Sequence, residues 1–227
     1  MVADGVQVLF GIQSPSGRLP LTIPWHENPF NYSKEQYPGV HQVASYSEHL
    51  LTGYRYYNGH ALTPQFHFGH GLTYTSFEYR NASIQLLTNS INGAFGCKTL
   101  ALLLWACTCV PCSVLFHLLY VNTADNTDVD GRILGSDKSV AVMHVHVTNT
   151  GSNVGIETPQ LYLTLPQPAN QPPNQLKGFQ KVKLGPGQGV QVHLFVSARD
   201  LSVWDVPTQS WAMPQGPLWV SHMTQTL

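Results

Sequence analysis

Residues 138–227 alternate between apolar and polar positions, which is the pattern of strands that bury one face. Turn residues separate the strands expected over Val140–Val147, Leu161–Leu165, Phe179–Leu184 and Val190–Val196. Trp204 and Trp211 flank a turn sequence that predicts a hairpin. The predicted core face takes alternate apolar residues from three strands: Met143, Val145, Val147, Leu161, Leu163, Leu165, Val190, Val192 and Leu194. This spacing predicts an antiparallel β-sandwich.

Residues 1–86 are rich in Gly, Pro, Tyr and His and carry fewer periodic elements. Val6–Phe10 fits either the end of a helix or a strand. Leu19–Ile23 predicts a short strand that ends before a proline, and Tyr54–Tyr57 predicts a short aromatic strand. These elements are too few to close a domain, and a free-standing unit would leave strand edges unpaired.

Between these zones, residues 87–137 combine an apolar block with a polar loop. Residues 99–124 contain no Asp, Glu, Lys or Arg over 26 positions, which by length and apolarity fits a transmembrane segment. The block, however, separates the strand expected over Phe77–Leu86 from Val140–Val147. A single span would place two strands of one sheet on opposite sides of a bilayer, so we do not expect a membrane partner.

All four cysteines lie in or beside this block: Cys97, Cys107, Cys109 and Cys112. Their spacing suits a metal, but there is no second cluster to complete a zinc site, and disulfides are restricted by the short segment. A compact domain rarely needs so long an insertion. Our hypothesis is that part of residues 87–124 is translated intron or an error in the gene model.

The composition argues against two classes of protein, nucleic-acid binders and disordered chains. Charged residues make up 10% of the chain, against a typical share of roughly 25%. Lys and Arg (11) are scattered and nearly balance Asp and Glu (12), so we expect no nucleic-acid partner. A hydrophobic content of 43% with a net charge of −1 argues against disorder.

Two features concern the cellular compartment. Asn31-Tyr32-Ser33 and Asn81-Ala82-Ser83 match the acceptor pattern for N-glycosylation, which favours secretion. Met1–Gly5 does not begin a signal peptide. We therefore expect that a segment preceding Met1 is absent from this chain.

Seven short motifs follow one another along residues 5–222. They are Ser14–Pro24, Gly53–Tyr57, Phe66–Phe77, Val147–Gly151, Pro159–Leu163, Leu176–Val182 and Arg199–Asp205. In this order they make the chain resemble the C-terminal end of a family 3 glycoside hydrolase of the β-glucosidase type.

The resemblance implies a domain organisation. In that family a (β/α)8 barrel precedes an α/β sandwich, which precedes a fibronectin type III-like sandwich. Residues 1–76 would be the C-terminal remnant of the α/β sandwich. Residues 77–222 would be the fibronectin type III-like domain, interrupted by the anomalous insertion at 87–137. The expected fold class is mainly β, an immunoglobulin-like antiparallel β-sandwich preceded by the tail of an α/β sandwich domain.

The resemblance also implies retaining hydrolysis of terminal β-linked glucose, with a β-glucoside or oligosaccharide as substrate and an extracellular full-length enzyme. Retention needs two carboxyl groups roughly 5–5.5 Å apart. In the family, the nucleophile is an Asp in a Ser-Asp-Trp motif on the barrel, and the acid/base Glu lies early in the α/β sandwich. Here Ser136-Asp137 is followed by Lys138. We therefore assign no catalytic, cofactor-binding or metal-binding residue, and expect this chain to be non-catalytic by itself.

The other candidate residues are expected to have structural roles. Glu48 and Asp205 are interpreted as solvated or capping carboxylates. His67 and His70 would suit a metal on a helix, but the glycines beside His70 favour a loop. Arg55 could stack on a sugar, although packing among tyrosines is the preferred interpretation.

His144 and His146 are expected to face solvent, on the opposite face of their strand from Met143 and Val145. Two functions other than that of an enzyme fragment stay open at this point. One is an autonomous module that binds carbohydrate or protein, with Trp204, Trp211 and Trp219 as candidate contacts. The other is a membrane-anchored protein that uses the apolar block.

Overall fold

The computed structural model describes residues 2–26, 32–87, 95–96, 115–121 and 137–223. Two α-helices are present in these ranges, α1 (Val2–Leu9) and α2 (Tyr54–Gly59). The described strands are β1 (Phe77–Leu86), β2 (Phe95–Gly96), β3 (Leu115–Val121), β4 (Ser139–Asn149), β5 (Gly155–Glu157), β6 (Gln160–Thr164), β7 (Gln175–Phe179), β8 (Val182–Leu184), β9 (Gly189–Ser197), β10 (Val203–Asp205), β11 (Ser210–Ala212) and β12 (Gly216–Met223). The prediction of a mainly β fold is confirmed.

Two antiparallel sheets enclose the core. One has the strand order β1-β4-β9, and the other has the order β2-β3-β12-β6-β7. Two small sheets, β5-β8 and β10-β11, complete the described strands. The hairpin predicted around Trp204 and Trp211 is the β10-β11 pair, in which these two residues lie directly opposite each other.

The core forms where alternating apolar side chains of the two sheets meet. In β4, Met143 lies opposite Leu194 of β9, and Val145 lies opposite Val192. The predicted core face is confirmed for the buried residues Met143, Val145, Val147, Leu161, Leu163, Leu165, Val192 and Leu194. Val190 is only partly buried because it packs at the margin of this cluster. Full burial of one such aliphatic side chain contributes about 1.5–3 kcal/mol.

The single strand predicted over Phe179–Leu184 is wrong. β7 ends at Phe179 and pairs with β6, whereas β8 begins at Val182 and pairs with β5 in another sheet. The break falls at two exposed polar residues, Gln180 and Lys181. The chain therefore changes sheets there, which sequence alternation alone does not reveal.

The aromatic strand predicted over Tyr54–Tyr57 is also wrong, because these residues begin helix α2. Helical spacing brings Tyr54 and Tyr57 to one side, where Tyr57 is buried. Four residues apart, the Tyr56 and His60 rings stack with centroids 4.0 Å from each other. Tertiary packing of the tyrosines therefore overrides their preference for strands.

Leu19–Ile23 does not form a strand. Leu19 N donates to His70 O (2.8 Å), and Ile23 N donates to Phe66 O (2.9 Å), so these two segments of the chain run alongside each other. Pro20 has no N–H and Pro24 follows the last pairing, which prevents a continuous ladder. At the N-terminus, the open choice between helix and strand for Val6–Phe10 is settled by helix α1.

The middle block is partly described. Leu115–Val121, inside the apolar stretch, forms strand β3 and pairs with β12 over seven positions. The expectation that the strand after β1 is Val140–Val147 is therefore wrong, although β1 does pair with β4. Most of residues 87–137 and all four cysteines lie outside the described residues, so the origin of residues 87–124 stays a hypothesis. Among the helices of the described ranges, none is long and apolar enough to cross a membrane.

Candidate functional site

The two carboxylates considered from sequence have local hydrogen-bond partners. Gln36 Nε2 donates to Glu48 Oε2 over 3.2 Å. Asp205 accepts hydrogen bonds from the backbone N–H and the hydroxyl of Thr208, and so caps the turn of the β10-β11 hairpin. Both side chains thus make local hydrogen bonds, and the structural roles expected for them stay a prediction.

His67 and His70 lie in a loop, as the glycines indicated. Burial, and then the neighbouring His70, lower the pKa of His67, which favours a neutral ring. The His70 ring packs against Phe66 with centroids 4.9 Å apart. Within the described residues, no group of three or more His, Cys, Asp or Glu side chains is placed to hold a metal ion.

Arg55 lies over the ring of Tyr54, with its guanidinium carbon 5.8 Å from the ring centroid. His144 and His146 are half-buried and lie on the face opposite Met143 and Val145, which is the predicted arrangement. His144 Nδ1 lies 2.7 Å from Nδ1 of His193 on the neighbouring strand β9. The His144–His193 contact is a hydrogen bond between two neighbouring strands, and the Arg55–Tyr54 contact lies within helix α2.

The most developed polar cluster joins residues that the sequence analysis did not single out. Arg18 precedes the Leu19–Ile23 extended segment, and Glu157 ends strand β5, 139 residues later. Arg18 donates to both carboxylate oxygens of Glu157, over 2.7 and 2.5 Å. The two side chains are only 15% and 7% exposed. Removing one charge would leave the other buried and unpaired.

A third member, Tyr79 of β1, completes the cluster. Its hydroxyl donates to Glu157 Oε1 over 3.0 Å. Burial, and then the negative charge of Glu157, raise the pKa of Tyr79 far above its ordinary range. Tyr79 therefore stays protonated and acts as a hydrogen-bond donor. Arg18 and Tyr79 both donate to the carboxylate oxygens of Glu157, and we name these three side chains the clamp.

A second polar network reinforces the same junction. Asn149 is fully buried at the end of β4, and its amide donates to the carbonyls of Asn153 (2.8 Å) and Leu184 (3.0 Å). Its carbonyl oxygen accepts from the Thr75 hydroxyl (2.5 Å). A Cβ added at Gly155 would collide with Thr75, so glycine permits this close approach. Asn149 thereby ties the residues before β1 to the sandwich.

Aromatic packing provides a third connection. Tyr54 of α2 stacks on Phe68 (centroids 4.7 Å apart) and meets Tyr162 of β6 edge-on. The Tyr54 hydroxyl also accepts a hydrogen bond from Leu176 N over 3.0 Å. Beside these contacts, an open groove of about 580 Å³ is lined by Pro15, Gly17, Arg18, Leu19, Ile23, Phe66, His70, Gly71 and Leu72.

These three sets of contacts join residues 2–26 and 32–76, which we name the N-terminal segment, to the sandwich formed by the strands from β1 to β12. Sequence reasoning missed it because alternation and motif spacing say nothing about which charges meet across 139 residues. One signal was present. In a chain with only 10% charged residues, Arg18 is the one charged residue of the motif Ser14–Pro24, which invites a search for its carboxylate partner.

Comparisons with known proteins agree with this architecture. The fibronectin type III-like domain matches residues 157–224. Over 211 residues the chain is 34% identical to "Probable beta-glucosidase D" of Aspergillus niger, a match that covers 93% of this chain and 24% of that protein. The chain carries the C-terminal region of a family 3 glycoside hydrolase. It spans about a quarter of the length of the curated relatives it matches.

Solved structures show the same relation. The beta-D-glucoside glucohydrolase of Trichoderma reesei superimposes with a TM-score of 0.70 at 31% identity, covering 99% of this chain and 28% of that one. A glycoside hydrolase family 3 beta-glucosidase of Neurospora crassa, at 21% identity, shares the fold with a TM-score of 0.67 over 96% of this chain and 33% of that one. The resemblance stated from the seven motifs is confirmed.

Proposed function

We propose that the whole protein to which this chain corresponds is an extracellular β-glucosidase that removes terminal β-linked glucose with retention of configuration. Within it, this chain supports the catalytic domains and is not catalytic by itself. Its substrates would be β-glucosides or oligosaccharides. The names of the relatives, which are β-glucosidases matched only in this region, support the assignment.

One observation is the main argument that this chain supports the catalytic domains. The N-terminal segment holds fifteen of the twenty-two exposed large apolar side chains found in the described residues, and only one buried apolar side chain, Tyr57. Leu9, Phe10 and Ile12 are each more than three-quarters exposed. So much apolar surface is typical of a face that packs against another part of the protein.

The excess of exposed apolar side chains in the N-terminal segment also supports a division of the chain into two domains. We place the boundary at residues 76 and 77, where the chain enters β1 of the sandwich. The segment before it would complete an α/β sandwich only together with preceding sequence. The clamp between Arg18 and Glu157 would then fix the orientation of the two domains.

Activity tests the proposal directly. The purified chain is mixed with an aryl β-glucoside, and we expect no release of the aryl alcohol above buffer. The Trichoderma reesei relative serves as positive control. Turnover that is lost in Glu48→Gln or Asp205→Asn would contradict the proposal, because it would place a catalytic carboxylate within this chain.

A hybrid enzyme tests the supporting role. This chain replaces the matching C-terminal region of the Trichoderma reesei enzyme, and we expect the hybrid to fold and hydrolyse the aryl glucoside. Glu157→Gln in the hybrid should lower its melting temperature. A folded hybrid without activity would contradict the proposal that the two regions are equivalent.

A second candidate is an autonomous carbohydrate-binding module. The Trp204 and Trp211 rings meet edge-on with centroids 5.7 Å apart, and Trp204 is 48% exposed, so part of this residue is accessible to a sugar. Retention of the chain on insoluble polysaccharide, lost in Trp204→Ala, would favour this function. Absence of retention would exclude it.

A further inference from the structure

Strand β1 contains a bulge opposite Val145 of β4. Arg80 pairs with His146 and Ser83 pairs with His144, so Asn81 and Ala82 together face one residue of the partner strand. Asn81 has a φ of 53°, in the left-handed region that Gly and Asn tolerate best. The extra residue therefore turns the local chain and changes which side chains point outward.

The bulge presents Asn81 and Ser83 to solvent. Both are exposed, whereas Ala82 between them packs against the core cluster. The neighbouring Arg80 side chain is held by Glu78, with Nε and Oε1 2.9 Å apart. The Asn81 amide and the Ser83 hydroxyl thus stand together on the exposed side of β1.

This pair lies in the tripeptide Asn81-Ala82-Ser83, with no proline at the middle position. We propose that Asn81 is an acceptor site for an N-linked glycan. In the transfer step, the Asn81 amide nitrogen forms a bond to the anomeric carbon of an oligosaccharide carried on a lipid pyrophosphate. The bond from that carbon to the pyrophosphate oxygen breaks, the lipid pyrophosphate leaves, and the amide loses one proton.

The bulge explains the asparagine but not the serine. A left-handed residue at position 81 would be satisfied equally by glycine. Nothing in the backbone geometry requires a hydroxyl at position 83, whereas the transferase recognises that hydroxyl. The other tripeptide begins at Asn31, outside the described residues.

The test is secretion of the full chain from yeast behind a cleavable leader, followed by peptide mass mapping before and after an enzyme that releases N-glycans. We expect wild-type chain to carry a glycan at Asn81, seen as an aspartate left at that position after release. Asn81→Gly removes the acceptor but keeps the left-handed bulge, so its circular dichroism should match wild type while the glycan is lost.

Changes at position 83 leave the bulge residue untouched. Ser83→Ala should abolish the glycan at Asn81, and Ser83→Thr should retain it, since either hydroxyl residue completes the acceptor. Asn31→Gln is the matched control and should leave the Asn81 glycan in place. A secreted wild-type chain with no glycan at Asn81, or one whose glycan persists in Ser83→Ala, would overturn the proposal. Because the readout is a glycan, the result is independent of whether the whole protein is a β-glucosidase.

Discussion

The N-terminal segment and the sandwich differ in what they do with their apolar side chains. In the sandwich, nineteen apolar residues are buried in the described ranges, and the two sheets share one core. In the described part of the N-terminal segment, Tyr57 is the one large apolar side chain that is buried, and Leu9, Phe10 and Trp25 face solvent. Burial of apolar side chains is therefore concentrated in the sandwich, and the segment has little of it.

The comparison shows two ways of holding a chain in place. The sandwich uses non-directional burial spread over many residues. The segment is attached by a few directional contacts, which are the Arg18–Glu157 ion pair, the Asn149 network and the Tyr54 packing. Substitutions that remove buried apolar side chains of the sandwich should therefore lower its stability strongly. Substitutions that break the directional contacts should release the N-terminal segment and leave the sheets intact.

The largest effect is expected from Leu163→Ala in β6. Leu163 is fully buried, and such truncations lower the free energy of unfolding by about 2–5 kcal/mol. Leu21→Ala is the matched control in the N-terminal segment, where Leu21 is 53% exposed. It should change stability by less than about 0.5 kcal/mol. Denaturant unfolding followed by tryptophan fluorescence compares the two, and equal losses would erase the proposed difference.

Glu157→Gln should have the next largest effect, because it leaves the Arg18 charge largely buried without its partner. We expect a loss of about 3 kcal/mol and faster proteolysis within the N-terminal segment. The control is Glu78→Gln, which breaks the exposed pair with Arg80 and should lower stability by less than about 1 kcal/mol. If the two substitutions behave alike, the clamp does not hold the segment.

Substitutions in the apolar surface at the end of α1 should have a smaller effect on stability. In Leu9→Ser combined with Phe10→Ser, two highly exposed side chains are removed, so unfolding should shift by less than about 1 kcal/mol. Binding of a hydrophobic dye and aggregation should both fall. Phe195→Ser, at an exposed position of β9 in the sandwich, is the control and should leave dye binding nearly unchanged. Unchanged dye binding in the Leu9→Ser, Phe10→Ser variant would show that the dye binds to a different apolar surface.

The smallest effect is a pH dependence at His67. Its pKa is lowered in the folded chain by burial and by His70, so the unfolded chain takes up the proton first. This residue therefore reduces stability as pH falls through the ordinary histidine range, between about pH 7 and pH 5. His67→Gln should melt like wild type at about pH 8 and higher than wild type at about pH 5. A constant difference across this range would point to packing instead.

The strands of the sandwich were predictable because burial of one face imposes a period of two. Met143, Val145 and Val147 display it clearly, and the structure buries all three. The same rule failed at Phe179–Leu184, where the chain changes sheets between two short strands. Local alternation determines which face is buried, but not which sheet a strand joins.

The junction was not predictable from sequence. The contact between Arg18 and Glu157 joins residues far apart in the chain, and neither residue lies in a periodic pattern. Helix α2 was mistaken for a strand because tyrosines favour strands, and only the packing of Tyr54 on Phe68 and Tyr162 selects the helix. Long-range contacts decide both cases.

Hydrogen exchange of the full chain, followed peptide by peptide, tests the central contrast most directly. Amides of β4, β6 and β9 should exchange slowly, since they open only with the sandwich core. Amides of residues 32–62 should exchange much faster, because little apolar surface is buried there. Equal, strong protection of both regions would contradict the proposal that the N-terminal segment is completed by packing against another part of the whole protein.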